Sequence, residues 1–406
     1  MKLFAHAHAT HPDWRMALAL AGAQIDAQRA DPHGMYVAEP TLGWIYFSDH
    51  YAARAAELLN ELKLRWPGVS WVGAVGVGIL ANGAEYLDEP ALVLMLADMP
   101  RERFRVFSGA APLGAFPAAA ALVHADPATP DLSDVIAEMS ARTTSGYLFG
   151  GLASSRTHTI QVANGVFQGG LSGVAFDNDV SLVSRVTQGC QPLGPIRHVT
   201  QAHRNLVLTL DGEPALDVLL RDLEVSSAEP REALPRLRQT LVGLSEGREN
   251  PLSHPGQFAT NTRVRHLIGI EPKERGVAIG DDIKAGMQLT FCHRGVEAAR
   301  RDLVLICSEI REELDADALP LSEGMALHAG LAERASHPTH RIAGAVYVSC
   351  TGRGGPHFGA PSAEMALIRH ALGDVPLAGF FAAGEIARHH VHGYTGVLTV
   401  FLSGTP

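Results

Sequence analysis

The chain has 406 residues, of which 46% are apolar and 19% charged, with a formal net charge of −10. That is more chain than one ordinary domain and ample material for buried cores, which excludes a disordered protein. The acidic balance attracts neither a phosphate backbone nor an anionic membrane, so no nucleic acid and no membrane partner is expected, and no window of 18 uninterrupted apolar residues provides a span.

Cys190, Cys292, Cys307 and Cys350 are far apart and form no CxxC pair. Reduced thiols are expected rather than a disulfide framework or a structural zinc site. The segment MKLFAHAHATHPDW has no apolar core of signal-peptide length, so the expected location is cytoplasmic.

His6 and His8 share a face if Leu3–Ala9 is a strand, and a polar strand face is their expected role. Trp14–Arg29 is alanine-rich and amphipathic, which predicts a helix. Leu42–Phe47 predicts a short buried strand, followed by a helix that Pro67-Gly68 stops. Ser70–Leu80 reads as one strand whose glycines, Gly73, Gly76 and Gly78, admit a close neighbour. It lacks the G-x-G-x-x-G order and a following helix, so a dinucleotide loop is not expected. Ala91–Ala97 and Phe104–Ser108 are further strands. Ala118–Pro130 reads as a loop and Asp131–Arg142 as a helix. Ser145–Ser155 predicts a strand entering a Gly150-Gly151 turn. Ile160–Phe167 and Leu171–Phe176 predict a hairpin around Gln168-Gly169-Gly170.

Composition shifts near residue 212, where charged helical residues replace glycine-rich strands. The expected domains are therefore 1–212 and 213–406. In the second, Pro214–Leu223 and Glu232–Leu244 predict helices and Ser245–Pro255 a loop. Arg263–Ile270, Gly276–Ile279 and Met287–Cys292 predict strands. Val296–Leu314 is the longest helix, and Leu331–Thr339 is a polar connection. Ala343–Cys350, Leu377–Ala383 and Tyr394–Leu402 predict strands, with a helix over Ser362–Leu372. The expected class is α+β, a two-domain β-sheet sandwich flanked by helices in αββα-like layers.

The chemistry gathers in the last sixty residues. Cys350, Gly352, Arg353 and Gly354 follow one strand; Glu385, His389, His390 and His392 follow the next. Arg353 is the expected ligand clamp, because a guanidinium grips a carboxylate bidentately. The N–H groups of Gly352 and Gly354 would add an anion nest. Glu385 would pair with Arg353 or receive a ligand ammonium, with His392 completing the rim. Cys350 is the candidate nucleophile, since nearby N–H groups and a guanidinium favour thiolate, but spacing ties no base to it. His389, His390 and His392 are candidate metal ligands that would need a further ligand. Any haem would be non-covalent, for want of CxxCH. Gly76 and Gly151 are expected to close the same cavity from the first half.

In order and spacing, Cys350-x-Gly352-Arg353-Gly354, Phe358-Gly359, Glu364, Gly379-Phe380-Phe381-x-x-Gly384-Glu385-Ile386 and His392-Gly393-Tyr394-Thr395 resemble the C-terminal half of FIST-domain proteins. The Gly73–Gly78 strand and the Gly150-Gly151-Leu152-Ala153 turn resemble the N-terminal half. The resemblance implies a sensory module for small ligands, with amino acids proposed. It also implies a separate signalling protein as partner, because no output domain is recognised in this sequence. Some relatives are described as haem proteins. Three readings follow: a ligand-binding sensor without catalysis or cofactor, a cysteine-dependent hydrolase or transferase using Cys350, and a haem-based gas sensor.

Overall fold

Leu42–Ser48, Ala91–Ala97 and Leu377–Ala382 are apolar along nearly their whole length and buried at every position. Runs without polar alternation need cover on both faces, and they take central places in sheets. A computed structural model describes residues 2–31, 33–225, 230–245, 262–316 and 341–403, without the side chains of 230–234 and 356. The expected connection Leu331–Thr339, and the expected loop Ser245–Pro255 beyond Ser245, lie outside these residues. Two compact units form, one from residues 1–187 with 303–406 and one from 188–302.

The first unit holds three six-stranded sheets with one common strand order. In each, an edge strand pairs antiparallel with a second strand, and the second pairs antiparallel with a third. The third and fourth run parallel, and a two-stranded hairpin lies beyond the fourth. The first sheet runs Ala5–Thr10, Ala91–Ala97, Leu42–Ser48, Ser70–Gly76, then the hairpin Gln161–Ala163 and Val166–Phe167. The second runs Phe104–Phe107, Leu171–Phe176, Ala120–Ala125, Tyr147–Leu152, then Glu385–Ala387 and His390–His392. The third runs Leu182–Thr187, Gly396–Ser403, Arg341–Cys350, Leu377–Ala382, then Gly78–Ala81 and Ala84–Leu87.

The hairpins are exchanged in a ring. The hairpin that follows the first sheet's parallel pair in sequence joins the third sheet; the second's joins the first, and the third's joins the second. One packing rule repeats with the topology. Gly73, Gly150 and Gly379, each in a fourth strand, back onto the carbonyl oxygens of Ile45, Val123 and Tyr347, where a Cβ would lie 1.7, 2.0 and 1.8 Å away. No side chain fits such a gap, so these glycines set how closely each parallel pair packs. Tyr46, His124 and Phe380, one from each sheet, meet in the interior. The Phe380 ring centroid is 5.0 Å from that of Tyr46 and 5.9 Å from that of His124, and the Tyr46 hydroxyl lies 3.1 Å from His124 Nε2.

Four local expectations are corrected in this unit, the first being the Gly150-Gly151 turn, which instead lies inside the paired strand Tyr147–Leu152. Ala118–Pro130 contains the strand Ala120–Ala125, whose central position overrides the weak strand preference of alanine. Gln161–Ala163 turns back at Asn164-Gly165 onto Val166–Phe167, while Leu171–Phe176 pairs with other strands, so the expected hairpin does not form. The run Ser70–Leu80 breaks at Val77, because its two halves belong to different sheets.

In the second unit six strands close on themselves. Gln288–Arg294, Arg197–His203, Leu206–Leu210, Gly276–Ile279, Arg263–Glu271 and Thr240–Ser245 pair in that order, and the last pairs with the first. Val207, Leu219, Val242 and Phe291 lie in its core. The helix expected over Glu232–Leu244 ends at Gln239, where Thr240–Ser245 becomes a strand. The α+β class holds throughout. No helix among the described residues is long and apolar enough to cross a membrane.

Candidate functional site

The strand Arg341–Cys350 ends in a single 3-10 turn, Thr351–Arg353, that turns Arg353 inward. Arg353 is 1% exposed. Its Nε and Nη2 donate to Glu364 Oε1 at 3.0 and 2.8 Å, and its guanidinium carbon lies 5.1 Å from the Phe358 ring centroid. Tyr347 donates to the same carboxylate oxygen at 2.6 Å, and Ser349 donates to Oε2 at 2.9 Å. The ion pair of Arg353 is therefore with Glu364, not with Glu385 as the sequence suggested. A buried charge needs a paired, hydrogen-bonded carboxylate, and Glu364 supplies it from the first turn of the helix Ala363–Leu372. The exchanged hairpin of the third sheet adds Glu85, whose Oε1 accepts from the backbone N–H groups of Glu364 at 2.9 Å and Met365 at 3.2 Å. Burial, and then the charge of Glu364, push Glu85 up to about 7, against the pull of those two N–H groups.

Glu385 begins the hairpin exchanged into the second sheet and stands opposite both Gly151 and His392. It is fully buried. Thr395 donates to Glu385 Oε2 through its backbone N–H at 3.1 Å and its hydroxyl at 2.7 Å, while Oε1 has no hydrogen-bond partner. Burial pushes Glu385 up to about 8, against the Thr395 bonds, the Arg353 charge and the neighbouring Cys350 thiol. Cys350 moves the same way. Burial and then the Glu385 charge raise its thiol to about 12, outweighing backbone contacts at Gly352 and Tyr394 and the charge of Arg353. The sequence identified the groups that favour a thiolate, but desolvation exceeds them, and Cys350 is a protonated, enclosed thiol at neutral pH.

The remaining candidates disperse. Gly352 and Gly354 are half-buried in the Arg353 turn. A Cβ on Gly151 would lie 2.7 Å from Val348 and one on Gly76 2.5 Å from the Gly78 carbonyl, so protein atoms fill both approaches. His392 is buried, His390 half-buried and His389 exposed. Among the described residues no group of three or more His, Cys, Asp or Glu side chains is placed to hold a metal ion.

A cavity of about 670 Å³ opens elsewhere in the first unit. Its walls come from the beginnings of the second sheet's parallel strands, from the third sheet's edge strand, and from the tip of the Glu385–His392 hairpin. Its polar lining includes Tyr147, Arg185, Arg388, His389, Asp177 and Glu313, and its apolar lining includes Phe149 and Leu182. The Arg185 Nε donates to Glu309 at 3.0 Å and its Nη2 to Glu313 at 2.5 Å. The Ser184 and Thr399 hydroxyls bond at 2.8 Å. Burial raises the Tyr147 phenol, so it stays protonated and able to donate. Of the sequence-derived candidates, His389 alone lines this space. Arg388, Tyr147 and Arg185 were missed because they are far apart in sequence and belong to no motif.

Models of the FIST N domain and the FIST C domain match residues 41–213 and 215–388. An uncharacterized protein of Mycobacterium tuberculosis (strain ATCC 25618 / H37Rv) is 29% identical over 412 residues, covering 97% of this chain and 98% of its own length. An uncharacterized protein of Mycobacterium bovis is 28% identical over 419 residues, covering 97% of each. With both domains present, in order, across most of its length, the chain belongs to the FIST family.

Proposed function

We propose that the protein is a small-ligand-binding sensory protein whose ligand is a small anion or zwitterion such as an amino acid, and that it signals through a separate protein. The observation that carries this reading is the cavity of about 670 Å³, lined by charged and hydroxyl side chains such as Arg185, Glu313, Tyr147 and Ser184 together with an apolar group around Phe149, Leu182 and Val183. That is the size and character of a metabolite site. Membership of the FIST family supports the sensory role. Catalysis by Cys350 gains no support from a thiol that is buried and held protonated. Arg353, Glu364 and Glu385 act in this reading as the frame that fixes the two turns. The four cysteines are free, which fits a reducing cytoplasm.

The test is a thermal-shift screen with amino acids and small organic acids. A ligand at 100 times its Kd should stabilise the folded state by about 2.7 kcal/mol and raise the midpoint. If no compound at millimolar concentration moves the midpoint, the small-ligand reading fails.

A further inference from the structure

Cys190 and Cys292 are both buried, and both are free thiols. Two antiparallel strands bring them together: Cys190–Pro192 pairs with Gln288–Arg294, with Pro192 opposite Cys292 and Cys190 opposite Arg294. Cys190 therefore stands two positions from the partner of Cys292, and both side chains leave the same face of the sheet as diagonal neighbours. Their thiols meet in a side-chain hydrogen bond. That bond, then burial and the charge Cys190 carries as a thiolate, raise the Cys292 thiol well above the ordinary cysteine value, against a backbone contact at Gly243. Cys292 thus keeps its proton and donates it to Cys190.

Exposure separates the two roles. Cys190 is 7% exposed and Cys292 is 0% exposed. Cys190 also lies on an edge. Its strand is three residues long and, among the described residues, pairs with Gln288–Arg294 alone. Gly189, at φ 70°, turns the chain into it from the strand Leu182–Thr187. A short edge strand opens locally at low cost. Opening admits a small oxidant to Cys190 and lets the two sulfurs close to the roughly 2.05 Å of a disulfide.

We propose that Cys190 and Cys292 form a reversible redox site, which a low-molecular-weight disulfide oxidises to an intramolecular disulfide. The Cys190 thiolate attacks one sulfur of the oxidant, R–S–S–R, forming a mixed disulfide and expelling RS−. The Cys292 thiolate then attacks the Cys190 sulfur, breaks the mixed disulfide and expels the second RS−. The two RS− take up the two protons that the protein thiols lose, so one R–S–S–R is reduced to two R–SH as the protein dithiol is oxidised. The new bond staples the edge strand to its neighbour and closes a loop of about a hundred residues, all within 188–302. Neither cysteine lines the cavity described above, so this site does not depend on the small ligand.

The experiment treats the full chain with millimolar hydroxyethyl disulfide, then quenches with acid, alkylates and maps the peptides. The expected product has lost the mass of two hydrogens and gives one peptide pair joined through Cys190 and Cys292, which dithiothreitol separates. Its calorimetric midpoint should lie about 4 °C or more above that of the reduced protein. Cys292→Ser should stop at the mixed disulfide on Cys190, and Cys190→Ser should form no adduct on Cys292. Two thiols that merely fill a core would give neither the cross-link nor the trapped adduct. Mapping of the wild-type chain reads the result even where a serine variant fails to fold. If the treated wild type carries no cross-link, or if the cross-link involves Cys307 or Cys350, the redox site is overturned.

Discussion

Arg353 and Glu364 are 1% and 0% exposed and touch through two hydrogen bonds. Removing one partner leaves the other charged and buried, so Arg353→Ala should destabilise by about 3–5 kcal/mol in urea denaturation. Arg388→Ala, on the exposed tip, should change the same midpoint by well under 1 kcal/mol. The sequence singled out Arg353 and Cys350 because their residue types carry chemistry, but it does not show desolvation. Cys350 should therefore react slowly with iodoacetamide at pH 7.5 and fully only in denaturant; rapid labelling of the folded chain would contradict an enclosed thiol. Glu385 carries a pH signature. Burial raises its carboxyl in the folded chain to about 8, from an ordinary glutamate value of 4.5. Its stabilising contribution is thus complete below about 4.5 and is lost as pH rises through 8. Glu85, pushed up to about 7, has the same sign. Urea midpoints should fall between pH 6 and pH 8.5, and Glu385→Gln should reduce that fall.

At the scale of elements, most helices and strands were legible from periodicity and capping. Trp14–Arg29 and Ala91–Ala97 have the bounds the pattern indicated. What each strand pairs with was not legible, since register depends on residues far away in sequence. The edge strand Ala5–Thr10 illustrates this. Its outer backbone groups are covered by the helix Trp14–Arg29, which follows it in the chain: Gln28 accepts from the His6 N–H at 2.9 Å and donates to the His6 carbonyl at 2.8 Å, and Gln24 donates to the His8 carbonyl at 3.3 Å. Two glutamines one helical turn apart thus shield an edge that would otherwise recruit another strand. Gln28→Ala should destabilise by about 1–2 kcal/mol and increase aggregation at 37 °C, measured by calorimetry and light scattering. Glu85 plays a related part, binding the first N–H groups of a helix that lies almost three hundred residues later in the chain.

At the scale of the whole molecule, the ring of exchanged hairpins means that no sheet of the first unit is complete without a segment from another repeat. Such long-range pairing favours one cooperative unit and slow folding. Residues 188–302 differ, because their six-stranded closure lies within the segment. The segment's first residue also meets its last, with the Gln188 N–H donating to Asp302 Oδ2 at 2.6 Å. Produced alone, residues 188–302 should fold cooperatively, with a sigmoidal melt by circular dichroism; a featureless melt would show that its fold depends on the rest of the chain.

The sequence by itself determined the α+β class, the positions of most elements and the FIST resemblance, because propensity, apolar period and motif spacing are local properties. It also determined that Arg353, Glu385 and Cys350 would be gathered near two strand ends. Only the tertiary structure decided that these groups are enclosed, that Arg353 belongs to Glu364, and that the cavity lies beside Arg388, Tyr147 and Arg185. Burial and strand exchange decide those points, and both arise from contacts between residues that are distant along the chain.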